Sequence, residues 1–414
     1  MTLIKTSLLN GIAVAIKMLT LLGLNKILAI YVGPAGYASI GQFQNGVQII
    51  TKFASAAVGT GVTKYTAEYR DDTPRLRAIW KTAGTMSLIG TVIIATTLIV
   101  FSKVLAIWFL KDEELGSIFV WLALALIFFV FNNLILAVLN GKKEILSYVM
   151  ANIAGSLFVM IVTTVMVIKL GLYGALLALA TYQSLSFFVT LWLARKTKWF
   201  RLQYFFGRID MPSAKKLMKF TAMALTSVAC VPLCHILIRQ YLGDEFGWEA
   251  AGYWEAMWRM SAAYLMLVTS TLSVYYLPKL SEISQRHEIK SEIIQGYKLI
   301  LPVAVILSLS IFVLKDLIIR VLFSSDFAQM EILFKWQLIG DTLKIGSWVL
   351  AYLMLAKAKV VLFILSEIVF AASFYLFTIL FSGAYGLEGV AIAHAVNYFF
   401  YWLVMAYFML YRGF

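Results

Sequence analysis

The sequence predicts an all-α integral membrane protein with twelve transmembrane helices in two six-helix lobes and both termini in the cytoplasm. Three observations predict it. The chain is 62% hydrophobic and only 14% charged over 414 residues, with a mean hydropathy of +0.86, which leaves too little polar surface for a soluble globule. Apolar stretches near or above the ~20 residues that cross a bilayer recur along the whole length. Lysine and arginine concentrate in alternate connecting loops, the pattern that orients a multi-span chain.

In order, the apolar segments fall near 7–32, 37–62, 82–102, 117–139, 146–168 and 172–194, then 217–241, 250–277, 297–315, 332–356, 360–382 and 388–411. Lys5 precedes the first segment, Lys17 interrupts it and no small-residue cleavage site follows, so a retained span is expected there and not a cleaved signal. One set of loops carries Lys5, the cations of 64–81, Lys142, Lys143, those of 195–219 and 279–298, Lys357, Lys359 and Arg412. The opposite set carries only Lys103, Lys111, Lys169, Lys315 and Arg320, beside short acidic clusters at 112–114 and 244–245 that read as solvated turns. This bias puts both termini in the cytoplasm and calls for an even number of spans. It also accounts for most of the +14 net charge, so no nucleic-acid partner is inferred. In the loop 195–219, basic residues interleave with Trp199, Phe200, Tyr204, Phe205 and Phe206, a composition suited to the headgroup layer of an anionic leaflet. Cys230 and Cys234 fall inside one apolar segment and imply no disulfide framework. Even with His235 beside them they read as packed thiols, and neither metal nor cofactor is expected.

The chain echoes itself. GLYGALLALA from Gly171 matches GLEGVAIAHA from Gly386, YVGPAG from Tyr31 matches YLGDEFG from Tyr241, and LAVLNGKK from Leu136 faces LAYLMLAK from Leu350, all at nearly one spacing. Six spans per repeat give both halves the same orientation, so the lobes are expected at 1–207 and 208–414 with a cavity between them. That architecture suits a transporter.

Inside the spans the cations are Lys17, Lys26, Lys52, Arg239, Arg259, Lys335 and Lys344, against the acids Glu255, Asp341 and Glu367. A charge at mid-bilayer costs roughly 2.5–3.5 kcal/mol on the insertion scale and marks a function or a partner. Helical spacing places Gln337, Asp341 and Lys344 on one face, His394 with Asn397, Tyr398 and Tyr401 on another, and lets Glu255 pair with Arg259. Gln44, Gln48, Lys52, Ser55 and Gly59 form a third stripe. Two readings stand side by side. Lys26 and Arg239 can snorkel, and Glu255 with Arg259, or Asp341 with Lys344, can be ion pairs that lock helices. Alternatively, Lys17, Lys26, Lys52, Arg259 and Lys344 line a net-positive cavity for an anionic ligand, a role a diphosphate fits.

At these residues the chain resembles the Wzx-type flippases of the MOP exporter superfamily. The resemblance rests on FKWQLIGDTLKIGSWVLAYLMLAKA from Phe334, GVTKYTAEY after the second span, SVYYLPKLS closing the eighth and YVGPAG between the first two. It implies a MOP/MATE-like bundle in the bacterial inner membrane. It also implies translocation of an undecaprenyl-diphosphate-linked oligosaccharide, either an O-antigen unit or enterobacterial common antigen lipid III, from the cytoplasmic to the periplasmic leaflet. Membrane lipids and the polymerase and chain-length machinery of the pathway are the implied partners. Lys17, Lys26, Lys64, Asp341 and Lys344 match the residue type of the common-antigen branch, which adds Lys64 to the cavity residues; the Glu255–Arg259 pair departs from it. Alternating access is expected, with Gly33, Pro34, Pro232 and Pro302 as bending points. Glu255, Asp341, Glu367 and His394 are the candidates for proton coupling. The rivals are a twelve-span small-molecule or ion antiporter and a membrane glycosyltransferase or polymerase. A cationic-drug exporter calls for intramembrane acids in excess, and an enzyme of that kind calls for catalytic acids or a sizeable external loop.

Overall fold

Two helices are too long for one crossing. The computed structural model describes residues 3–411 except 198, 273–275, 284 and 358; among its helices, α1 (Leu3–Ala54) has 52 residues and α6 (Ile145–Arg195) has 51. At 1.5 Å per residue either would extend about 75 Å, more than twice the ~30 Å hydrocarbon core. Each is broken by a glycine in the left-handed region, Gly33 (φ 69°) in α1 and Gly171 (φ 56°) in α6. A residue with a Cβ pays roughly 1–2 kcal/mol there.

The remaining helices are α2 (Gly59–Glu68), α3 (Thr73–Val100), α4 (Ser102–Leu110), α5 (Gly116–Gly141), α7 (Met211–Phe246), α8 (Trp248–Thr271) and α9 (Leu277–Glu282). They are followed by α10 (Arg286–Val313), α11 (Lys315–Leu322), α12 (Phe334–Ala356), α13 (Val360–Tyr385) and α14 (Glu388–Ala406). Among the described residues, nine helices are long and apolar enough to cross a membrane. α8, which carries Glu249, Glu255 and Arg259, is not one of them. α3 begins well before the expected start at 82 because Asp72 caps it, accepting from the Arg75 backbone N–H at 3.1 Å, with Pro74 in the first turn. The charge-pattern residues Lys198 and Arg412, and residues 273–275 of SVYYLPKLS, lie outside the described residues, as do the side chains of Lys5 and Lys219.

The GLxG echo has a structural cause. Gly171 and Gly386 share one conformation (φ 56°, ψ −133° and φ 61°, ψ −146°). After each, the chain turns back along the helix it has just left. In the first half Tyr173 reaches Ser117 at 3.1 Å and Ser184 donates to the Ala125 carbonyl at 2.7 Å, so the second part of α6 runs parallel to α5. The glycine three residues on lets the incoming helix pass. A Cβ on Gly174 would lie 2.0 Å from the Met166 carbonyl oxygen, and one on Gly389 would lie 2.3 Å from that of Phe381. The other echo differs in register: the partner of Gly33 in conformation is Gly247 (φ 89°), at the start of α8, and not Gly243, the glycine its motif aligns with.

The chain divides into two compact units, residues 1–27 with 39–233, and residues 28–38 with 234–414. In the first, the aromatic loop after α6 turns inward. Phe205 is buried, stacked at 5.7 Å and 3° on Trp80, with Trp199 5.4 Å from the same ring. Gly84 makes the recess, since a Cβ there would meet the Phe205 carbonyl oxygen at 1.9 Å. The loop's cations Arg195, Lys196, Arg201 and Arg208 stay exposed, while its aromatic side chains close the end of α2, α3 and α5. Nearby, the Lys216 ammonium donates to the Tyr69 hydroxyl at 2.6 Å, which holds its pKa above the usual lysine range.

Two glycine substitutions separate the roles. Gly389→Ala is expected to destabilise by about 1–3 kcal/mol through overpacking, whereas Gly383→Ala, whose added carbon meets open space, is expected to be neutral or stabilising by up to about 1 kcal/mol. Thermal unfolding of the detergent-purified variants measures both.

Candidate functional site

The three charges of FKWQLIGDTLKIGSW part company on α12. Lys335, at the start, is exposed and lies beside the Trp336 ring. Asp341 and Lys344 face inward, and two glycines bring α14 close enough to meet them. A Cβ on Gly340 would lie 2.3 Å from the His394 ring and one on Gly346 would lie 2.9 Å from Trp402. The contact continues through Trp402 Nε1, which donates to the Tyr297 hydroxyl at 2.8 Å, and that hydroxyl, which donates to the Gly346 carbonyl at 3.0 Å.

Asp341 is completely buried. Its Oδ2 accepts from Ser261 Oγ at 2.6 Å and Tyr264 Oη at 2.5 Å, both on α8. Its Oδ1 accepts from Gln337 Nε2 at 3.3 Å and from His394 Nε2 at 3.0 Å. Four donors fill the acceptor sites of one carboxylate, so α8, α12 and α14 converge on a single side chain. Asp341 and Lys344 do not form the ion pair that their spacing allows. Lys344 instead sits over three rings, 4.5 Å from Trp258, 5.1 Å from Trp348 and 5.0 Å from Tyr398. It opens onto a pocket of about 230 Å³ between α8 and α12.

A second charged cluster lies on α7 and α8. Arg239 Nη2 is 2.9 Å and Arg259 Nε 2.6 Å from the two oxygens of Glu255, with Arg239 and Glu255 buried. Two guanidiniums share one carboxylate. Arg259 also lies 5.0 Å from the Tyr37 ring, which Phe323 and Phe327 hold edge-on. Tyr37 lies just after the break at Gly33, where α1 passes close to α8: a Cβ on Gly252 would lie 1.9 Å from the Pro34 carbonyl oxygen.

The structure therefore brings Glu255 to Arg259 and His394 to Asp341, with Lys344 one turn away. Glu367 on α13 is half-buried and makes no ion pair among the described residues. In the first unit Lys17 and Lys52 are exposed, Lys26 is half-buried, and Lys64 lies 4.0 Å from Glu68 and over the Tyr65 ring. Sequence reasoning missed Ser261 and Tyr264 as partners of Asp341, and it left Arg239 free to snorkel although it is 1% exposed. The available signal was the spacing of Ser261 and Tyr264, three apart on an otherwise apolar face.

Removing the shared acceptor strands four donors. Asp341→Ala is expected to cost about 3 kcal/mol or more, while Asp341→Asn, which keeps one acceptor oxygen, costs less. Chemical or thermal unfolding of the purified variants gives the order.

Comparison with known proteins agrees with this architecture. Residues 44–332 match the family model described as polysaccharide biosynthesis protein. The chain is 30% identical over 413 residues to the lipid III flippase of Escherichia coli strain K12, covering 100% of this chain and 99% of that relative, and equally so to that of Shigella flexneri. Two solved structures share the fold. A multidrug resistance MATE family transporter of the MOP superfamily, inward-facing, superposes with a TM-score of 0.76 at 15% identity, covering 94% of this chain and 92% of its own. The lipid II flippase MurJ, inward closed, superposes with a TM-score of 0.74 at 13% identity, covering 98% and 87%. The family model and the full-length similarity to lipid III flippases show that the chain belongs to the polysaccharide biosynthesis protein family.

Proposed function

We propose that this chain carries an undecaprenyl-diphosphate-linked oligosaccharide, an O-antigen unit or the common-antigen lipid III, from the cytoplasmic to the periplasmic leaflet of the bacterial inner membrane. It does so by alternating access and without a chemical step. The observation that carries the reading is the sign of the buried charge. The three cations Arg239, Arg259 and Lys344 outnumber the two buried acids Glu255 and Asp341, and Lys344 has aromatic rings around it in place of a carboxylate. Cations held in a low-dielectric interior favour an anionic ligand, and the full-length relatives named lipid III flippases supply its class. The residues proposed to bind it are Lys17, Lys26, Lys52, Lys64, Arg259 and Lys344.

The membrane arrangement follows. α1 and α6 each cross twice, α8 crosses in spite of its charges, and the total is twelve spans, with residues 1–207 and 208–414 as the six-span repeats and both termini cytoplasmic. Asp341 with His394 is the place where a proton would couple, because Glu255 is committed to two arginines and Glu367 stands outside the network. The polymerase and chain-length machinery of the same pathway receive the product.

Complementation tests the class. The gene is expected to restore surface glycan in a strain that lacks its flippase and accumulates lipid-linked repeat units; export of single units in the uncomplemented strain would point to a polymerase. Lys52→Ala and Arg259→Ala are each expected to lower transport about tenfold or more with unchanged amounts of inserted protein. Full activity in both variants would contradict the reading.

A further inference from the structure

We infer that the pocket between α8 and α12 seats the neck of the transported lipid, where phosphate joins the polyprenyl chain, and not its glycan; the inference rests on the lipid-linked reading above. Lys344 is the first ground. The residue is 7% exposed, its ammonium carries three N–H donors, and among the described residues no oxygen accepts from them. The nearest carboxylate, Asp341, is occupied by Ser261, Tyr264, Gln337 and His394. The rings of Trp258, Trp348 and Tyr398 stabilise the charge, but they leave its hydrogen bonds to whatever enters the pocket.

The second ground is what the wall lacks. Its hydroxyls are spent: Ser261 donates to Asp341, and Thr269 donates to the carbonyls of Leu265 and Met266 at 3.1 Å each. The remaining wall is Ala262, Leu265, Met266 and the two tryptophans. A sugar placed here would bury hydroxyls with few partners, which a binding site penalises heavily. Isoprenoid carbon has no such requirement. The volume agrees, since about 230 Å³ lies below the roughly 300–1,000 Å³ of ordinary ligand sites. It is of a size for a phosphate and the first carbons of the chain.

The test uses the full-length protein in phosphatidylcholine nanodiscs, titrated calorimetrically with farnesyl diphosphate, farnesol and inorganic pyrophosphate. Farnesyl diphosphate is expected to bind at least about tenfold more tightly than either fragment. Lys344→Gln, which removes the charge, and Met266→Trp, which fills the apolar end and leaves Lys344 in place, are each expected to weaken it about tenfold or more. Unchanged elution on size exclusion shows that both variants are folded. Equal binding by the variants, or equal affinity for pyrophosphate alone, overturns the inference. So does displacement of the probe by phosphatidylglycerol at equal concentration, which would make the pocket a seat for bilayer headgroups. Complementation is scored apart: a chain that binds the probe as expected and rescues no flippase-deficient strain keeps the pocket and loses the transport reading.

Discussion

Asp341 fixes the second unit. A carboxylate withdrawn from water is tolerated only when its oxygens are filled, and here the filling groups come from α8, α14 and the preceding turn of α12 itself. Moving any of these helices by an ångström or two would strand a donor or an acceptor in the interior. The aromatic surround of Lys344 depends on the same arrangement, because Trp258 sits one turn before Ser261 and Tyr398 one turn after His394. One buried acid thereby sets both the packing of three helices and the position of the cation beside them.

Backbone approach makes that convergence possible. Gly340 and Gly346 admit α14 against α12, Gly252 admits the turn at Pro34 against α8, and Gly84 admits the loop carbonyl of Phe205 in the other unit. Interhelical contact in a bilayer gains little from hydrophobicity and much from close van der Waals packing, which small residues allow. The glycines at 171 and 386 do a different job, reversing the chain at the same φ and ψ in each half.

Much of this was legible in the chain. Hydropathy located the helices, the spacing of Glu255 and Arg259 predicted their contact, and the spacing of residues 337, 341 and 344 put them on one face of α12. What stayed hidden was tertiary. Nothing local to Ser261 or Tyr264 says that an acid 77 or 80 residues on will face them. Asp341 and Lys344 looked like partners because sequence distance counts neighbours along one helix, whereas two other helices, α8 and α14, offered better ones. The loop aromatics looked like headgroup anchors because the recess at Gly84 and Trp80 cannot be seen from their own composition. The echo at Gly33 paired with the wrong glycine because the turning residue in the second half lies four positions beyond the one that its motif marks.

Whether the buried cations of the second unit meet the phosphate oxygens of a lipid-linked substrate decides the proposed function. A cryo-electron microscopy structure of the protein bound to a polyprenyl-diphosphate-linked oligosaccharide measures this directly. Phosphate oxygens within hydrogen-bonding distance of Lys344 Nζ, with sugar density beyond the α8/α12 pocket, is the predicted result. Lipid density lying elsewhere, with Lys344 still enclosed only by Trp258, Trp348 and Tyr398, would contradict it.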